Sequence, residues 1–171
     1  MENPDASTGI AELLRRGGFY YRIPGASPKE ILSCLVEKIK LPVSVQRQEL
    51  LAAVLEREDL MSTAAGNGVA LPHPRNPVVS AASDQFAALA FPDKPVDWGA
   101  LDGRPVDTVL LIVSAFPKLH LRSLQRLSFF CCDREFRSLL ENRAPEEVIL
   151  SYVKKTEEAW DGNSMERTKP L

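Results

Sequence analysis

The sequence predicts an α/β domain whose sheet is covered by helices over most of its surface. Apolar residues at helical spacing alternate along the chain with short runs of strand-forming residues. After its threonine, the run Thr108–Val113 is continuously apolar, which is typical of a central strand buried on both faces. The chain has 171 residues, of which 44% are hydrophobic and 26% charged, and this composition is typical of one globular domain.

The first predicted elements are a short helix and a strand. Residues 10–14 favour a helix that stops at Gly17-Gly18. The run Phe19–Ile23 is rich in strand formers and is followed by the turn signal Pro24-Gly25. A strand closed by a turn is therefore expected.

Two helices are predicted next. Ser27, Pro28 and Glu30 stand at the N-cap, first helical and capping-box positions of a helix start. Ser44 is expected to cap the second helix, which runs to about Glu58.

The rest of the chain contains a loop, two strands and two helical segments. Residues 61–77 hold two glycines and three prolines around a short strand at 69–71, and such loops often carry functional sites. Strands are predicted at 85–91 and 107–114. A long helix is predicted at 118–140, with a break near Asp133, and a final helix at about 144–154. We therefore expect a short polar lead at 1–9, the domain at 10–156 and a flexible tail at 157–171.

Charge and composition exclude several classes of protein. The 21 basic and 23 acidic residues leave a net charge of −2, which does not suit a nucleic-acid-binding surface. No apolar stretch approaches the roughly 20 residues of a membrane span, and no secretory signal is recognisable. A cytoplasmic location is expected.

The three cysteines lack C-x-x-C spacing, so we expect buried thiols on helices, with no zinc site and no cofactor. They are Cys34, Cys131 and Cys132.

Chemistry that needs an imidazole has two candidates, His73 and His120. His73 lies between Pro72 and Pro74, and proline fixes φ and lacks an N–H. The backbone on both sides of His73 is therefore stiffened, which is a specific way to present an imidazole.

Residues 55–73, LEREDLMSTAAGNGVALPH, resemble the signature of the fructose/mannitol-type enzyme IIA domains of the bacterial phosphotransferase system (PTS). That signature reads roughly R-E-x-x-x-S-T-G-I-G-N-G-[IV]-A-[IL]-P-H. The resemblance continues through residues 95–107 and His120, covers about residues 10–155, and is strongest to the free-standing nitrogen-regulatory branch. It implies a three-layer α/β/α sandwich with a mixed central sheet. Ala64-Ala65 replaces the family's Gly-Ile, and Ala64 would be strained if that glycine needs a positive φ.

The resemblance also implies roles for individual residues. His73 would carry a phosphoryl group on Nε2, although the residues alone leave the choice of ring nitrogen open. Arg57 would contact the phosphoryl oxygens, and His120 would donate a hydrogen bond to them. Ser62, Thr63, Asn67 and Gly68 would form the phosphoryl-binding loop. The structural alternatives are an exposed arginine at a helix end, a helix-capping histidine and ordinary turn residues. Trp98 is expected to pack beside the site.

The implied function is that of a phosphocarrier. His73 would accept a phosphoryl group from an HPr-like donor protein and would signal to a regulatory target in nitrogen-type PTS regulation. One alternative is the IIA component of a fructose/mannitol-type sugar transporter, which passes phosphate to a IIB cysteine. Another is a binding module that has lost the chemistry. A weak homodimer is left open.

Overall fold

The computed structural model describes residues 8–166, with side chains described for residues 8–160. Its helices and strands occur in the order that the sequence predicts, apart from the short strand Ala64–Gly66, which the sequence does not predict. The helices are α1 (Ile10–Gly17), α2 (Pro28–Lys38), α3 (Arg47–Leu60), α4 (Pro117–Cys132), α5 (Arg134–Glu141) and α6 (Glu146–Glu166). The strands are β1 (Phe19–Ile23), β2 (Ala64–Gly66), β3 (Val69–Ala70), β4 (Phe86–Pro92) and β5 (Thr108–Val113).

The five strands form one mixed sheet in the order β1-β4-β5-β3-β2. The central strands β4 and β5 are antiparallel, and Leu89 is paired with Leu110. Strand β1 runs parallel to β4, β3 runs parallel to β5, and β2 is antiparallel to β3. Every residue of β4 and β5 is buried, which confirms the prediction of a central covered strand.

Hydrophobic cores lie on both faces of the sheet. On one face, Ala88 and Leu111 pack with the apolar residues of α2 and α3. On the other, Leu89 and Leu110 pack with those of α1, α4, α5 and α6. Successive strand residues point to opposite faces, so both cores share the same two strands. The predicted three-layer α/β/α sandwich is confirmed.

Helix α2 begins where the sequence predicts, and α3 does not. The Ser27 hydroxyl oxygen accepts the Glu30 N–H at 3.3 Å, as an N-cap should. Ser44 does not cap α3. A turn from Pro42, whose carbonyl accepts the Val45 N–H, places Ser44 three residues before the helix. Its hydroxyl donates instead to Asp84 at 2.6 Å.

The C-terminal helix continues beyond its predicted end. Residues 157–166 form the last part of α6 and not a tail. Glu157 accepts hydrogen bonds from the start of α1, and Trp160 packs against Phe129 and Phe130 with ring centroids 4.8 and 5.2 Å away. These contacts hold the first added turn, residues 157–160, against the rest of the domain. Residues 1–7 of the predicted lead and 167–171 of the predicted tail lie outside the described residues.

The three cysteines lie on helices, but only one is buried. Cys131 is 4% exposed, and burial raises the pKa of its thiol to about 12. Cys34 is half-buried. Cys132 is exposed because it is the last residue of α4 and faces away from the core. Within residues 8–166, no helix combines the length and apolar character that crossing a bilayer requires.

Candidate functional site

His73 lies in the segment that leaves the end of β3 beside the central strand β5. Two backbone hydrogen bonds anchor this segment. The Leu71 N–H donates to the Thr63 carbonyl at 3.0 Å, and the Ile112 N–H donates to the Pro72 carbonyl at 2.9 Å. These bonds hold the segment on the sheet. The His73 ring is half-buried, so part of it still reaches the surface.

One hydrogen bond assigns the tautomer of His73. Its Nδ1 lies 2.8 Å from the carbonyl oxygen of Leu71. A carbonyl oxygen only accepts, so Nδ1 must carry the proton. In the neutral ring, Nε2 then holds the lone pair and is the nucleophilic nitrogen.

His120 lies in the first turn of α4, where Pro117 occupies the first helical position. Its ring centroid is 4.8 Å from that of His73, with the two rings tilted by 49°. The structure therefore brings together the two histidines, which are 47 positions apart in the sequence.

The surroundings of both imidazoles favour the neutral ring at pH 7. Burial lowers the pKa of His73, and the bond to Leu71 opposes this effect. Burial lowers the pKa of His120 to about 4, with smaller contributions from the charges of His73 and Arg57. A neutral pair keeps a lone pair for attack and at least one ring N–H for donation.

Acidification is expected to destabilise the fold between about pH 6.5 and pH 4 because of His120. Its pKa is about 4 in the folded chain and about 6.5 in the unfolded chain, so in this window the unfolded chain binds more protons. The contribution of neutral His120 to the free energy of unfolding is fully present above pH 6.5 and is lost as the pH falls. Urea unfolding at pH 7 and pH 5 should show a larger loss in the wild type than in His120→Gln. Equal losses in the two proteins would contradict this expectation.

Arg57 lies in the last turn of α3, and its charge acts on both histidines. Its Nη1 donates to the Met61 carbonyl at 2.8 Å. The guanidinium makes no ion pair with the described residues. Its remaining N–H groups are therefore free to bind an anion.

The structure places Ser62 and Thr63 in the framework of the loop. The Ser62 hydroxyl donates to the Trp98 carbonyl at 2.5 Å. The Thr63 hydroxyl donates to Glu58 at 2.5 Å. Both hydroxyl protons are thus committed to protein acceptors, and a phosphoryl-binding role for these two residues stays a prediction.

Asn67 and Gly68 form the turn between β2 and β3, with φ values of 54° and 79°. The Asn67 N–H donates to Asp102 at 2.7 Å, and the Gly68 carbonyl accepts N–H groups of Asp107 and Thr108. The turn is thereby docked on neighbouring segments. Its predicted phosphoryl contacts also stay predictions.

Ala64 is not strained by the replacement of the family's glycine. It lies in β2, paired with Ala70, and has no positive φ. The left-handed conformations of this segment fall on Gly66, Asn67 and Gly68, where this chain matches the family pattern. Strand β2 itself was not predicted from the sequence.

Glu58 lies beside the candidate site and is not among the site residues predicted from the sequence. Its carboxylate accepts the Thr63 N–H at 2.8 Å and the Nε1–H of Trp98 at 3.0 Å. Trp98 is 3% exposed and packs beside the site, as expected. The available signal was the position of Glu58 next to Arg57 in the R-E pair of the motif.

No group of three or more metal-ligating side chains occurs in the part of the chain that the structure describes.

Comparison with known proteins shows similarity of sequence and of fold. A nitrogen regulatory protein of Pseudomonas aeruginosa is 31% identical over 148 residues, which cover 84% of this chain and 94% of that protein. The fructose-specific PTS EIIABC component of Bacillus subtilis is 30% identical over 149 residues, which are 84% of this chain but 23% of that protein. Among solved structures, the nitrogen regulatory protein IIA-Ntr of Neisseria meningitidis has the same fold, with a TM-score of 0.72 at 24% identity over 84% of this chain and 98% of that one.

The family model of the phosphoenolpyruvate-dependent sugar phosphotransferase system, EIIA 2, matches residues 21–156. This match includes strands β2 to β5, the last residues of β1, and Arg57, His73 and His120. The chain therefore belongs to the EIIA 2 family of the phosphoenolpyruvate-dependent sugar phosphotransferase system.

Proposed function

We propose that this protein is a phosphocarrier of the nitrogen-regulatory type, in which Nε2 of His73 accepts a phosphoryl group from a phosphorylated HPr-like donor. The observation that carries the proposal is the hydrogen bond from Nδ1 to the Leu71 carbonyl. It directs the lone pair of a neutral imidazole to Nε2 and holds the ring in one orientation. The relatives that match this chain over most of their own length are named nitrogen regulatory proteins, which favours the nitrogen-regulatory type.

The transfer needs little covalent chemistry from the protein. The Nε2 lone pair forms a new N–P bond while the donor's N–P bond breaks, and that electron pair returns to the donor's imidazole. Nδ1 keeps its proton throughout. As the ring of His73 gains positive charge, its N–H binds the Leu71 carbonyl more strongly, because bonds from charged donors are stronger.

Arg57 and His120 supply the charge and hydrogen bonds that the phosphoryl oxygens need. In phosphoryl transfer, positioning and electrostatic stabilisation provide most of the rate enhancement. The free N–H groups of Arg57 suit two phosphate oxygens at once. His120 is neutral, so it donates one ring N–H without repelling Arg57.

The phosphoryl group would change the surface that a target protein meets. It adds a charge of about −2 beside His73. Exposed apolar side chains flank the two elements that carry Arg57 and His120: Met61 is 71% exposed at the end of α3, and Phe116 is 46% exposed before α4. A charge among apolar contacts weakens or reshapes a protein interface. The phosphorylation state would thereby control binding of a regulatory target.

A second candidate function is favoured by the fructose-specific relative. In that case phospho-His73 would pass its phosphoryl group to the cysteine of a IIB protein. The acceptor step separates the two functions. A purified IIB domain would remove the phosphate from a sugar-transport component and would have no effect on a nitrogen-regulatory phosphocarrier.

The proposal is tested by incubating the protein with phosphoenolpyruvate, enzyme I and an HPr-type protein, followed by intact mass spectrometry. The expected result is the mass of one added phosphoryl group, which is lost on brief acid treatment as a phosphohistidine should be. A reaction without phosphoenolpyruvate is the control. No adduct with any of several HPr-type donors would overturn the proposal and leave a binding module without phosphoryl chemistry.

Replacing Arg57 with alanine should slow phosphoryl uptake by about 100-fold, because one charged donor to the transferred group is lost. The folded state should change little, since Arg57 makes a single described hydrogen bond, to the Met61 carbonyl. Quenched-flow rates and melting temperatures measure the two effects. Arg15→Ala, on the exposed face of α1, is the matched control. A large drop in melting temperature at an unchanged rate would show that Arg57 is structural.

A further inference from the structure

The Leu71 carbonyl that accepts from His73 belongs to a peptide group without an N–H, because the next residue is Pro72. This peptide group cannot be held through its own nitrogen. Its direction depends on the two neighbouring anchors, the Leu71 N–H on the Thr63 carbonyl and the Ile112 N–H on the Pro72 carbonyl. Whatever fixes these anchors also decides which ring nitrogen of His73 meets the carbonyl.

The two anchors differ in their support. Ile112 is fully buried in the central strand β5, so its position is set by the sheet. Thr63 lies between α3 and β2, outside regular structure. Its neighbours Ser62 and Ala64 are anchored by the Trp98 carbonyl and by strand β2, and the direction of the Thr63 peptide groups depends further on the contacts of Thr63 itself.

Glu58 provides those contacts. One carboxylate oxygen accepts the Thr63 N–H at 2.8 Å, and the other accepts the Thr63 hydroxyl at 2.5 Å. The Nε1–H of buried Trp98 donates to the first oxygen at 3.0 Å and fixes the carboxylate itself. Glu58 thus holds Thr63 at two atoms.

The geometry points to Glu58 as a positioning residue that sets the ring tautomer of His73 through Thr63 and Leu71. This inference rests on the proposed function of His73 for its effect on phosphoryl uptake. Without the carboxylate, Thr63 loses two of its bonds, the Leu71 carbonyl is free to turn, and the proton of His73 divides between Nδ1 and Nε2. A ring with its proton on Nε2 has no lone pair there and cannot attack.

The experiment reads the tautomer directly, by long-range ¹H–¹⁵N NMR of the unphosphorylated protein at pH 7.5. The wild type should show one Nδ1–H form of His73, and Glu58→Ala should show both forms. Phosphoryl uptake by Glu58→Ala should be slower by about tenfold, because the reactive form is diluted and the ring is less well aligned. Glu56→Ala removes the same charge from an exposed position of α3 and should match the wild type.

Two conservative variants separate hydrogen bonding from charge. Glu58→Gln keeps the length and an acceptor oxygen for the Thr63 N–H, so it should restore the single tautomer. Glu58→Asp keeps the charge but shortens the side chain, so it should behave like the alanine variant. The aspartate variant also decides the matter if Glu58→Ala does not fold.

A single Nδ1–H form in both the Ala and the Asp variants would overturn the inference. Mixed tautomers in Glu58→Gln would also overturn it, because charge would then be the cause. The NMR result does not depend on any donor. If the wild type accepts no phosphoryl group while its tautomer still follows Glu58, the proposed function fails and the positioning role stands.

Discussion

Replacing His73 with glutamine should abolish phosphoryl uptake altogether. The amide of glutamine is not a nucleophile, so no N–P bond forms at this position. The neighbouring His120 is neutral, but neither of its ring nitrogens has a described hydrogen bond that fixes a tautomer. It is therefore not prepared to take over the attack. Intact mass after incubation with phosphoenolpyruvate, enzyme I and an HPr-type protein should equal that of the untreated variant.

The matched control for this result is His120→Gln. The glutamine amide still supplies an N–H to the phosphoryl oxygens, so uptake should continue at a reduced rate. Both variants should keep the circular dichroism spectrum of the wild type, since each replaced ring is only half-buried. Wild-type uptake in His73→Gln would place the phosphoryl group on another residue and contradict the assignment of His73.

Replacing Glu157 with alanine should cause the largest loss of stability that we predict from a single polar side chain. Glu157 is 8% exposed and accepts the N–H groups of Ile10 and Ala11 at 2.7 and 3.1 Å. It thereby satisfies the start of α1, where Gly9 provides no side-chain cap. Arg126, with a side chain 17% exposed, pairs with the same carboxylate at 3.1 Å. Alanine would leave a nearly buried guanidinium and two helix N–H groups without their partner.

The expected cost is about 3 kcal/mol or more, because breaking a buried ion pair leaves an uncompensated charge. For a chain of this length, the melting temperature should fall by roughly 10 °C. Differential scanning calorimetry measures this change. Glu158→Ala removes the same charge from the next, exposed position of α6 and should shift the melting temperature by less than about 2 °C. Equal shifts in the two variants would show that the Glu157 contacts are energetically neutral.

Features that depend on neighbouring residues could be predicted from the sequence. The cap at Ser27 follows from four adjacent residues, and the burial of β5 follows from its own apolar run. The stiff presentation of His73 follows from Pro72 and Pro74. These features need no knowledge of distant segments.

Features that depend on distant segments could not be predicted. Ser44 looks like a cap until Asp84, 40 positions away, is brought to its hydroxyl. Strand β2 has the weak strand formers Ala-Ala-Gly and exists because β3 folds back beside it. The extension of α6 depends on Glu157 meeting a helix 147 positions away.

The candidate site shows the same division. The motif at residues 55–73 predicts Arg57 and His73 as site residues, and the continued resemblance predicts His120, because each stands at a recognisable position. It did not identify Glu58 as a site residue, since that role requires Trp98 to lie against the end of α3. The tautomer of His73 likewise depends on a carbonyl whose direction only the folded loop defines.

The two helical layers contribute different parts of the candidate site. Arg57 comes from α3 and the layer of the first core, whereas His120 comes from α4 and the layer of the second. In the proposed function, a phosphoryl group held by both residues would connect the two helical layers. The affinity of the site for the phosphoryl group would then depend on the distance between the two layers. The strands between the layers set that distance, in addition to forming the core.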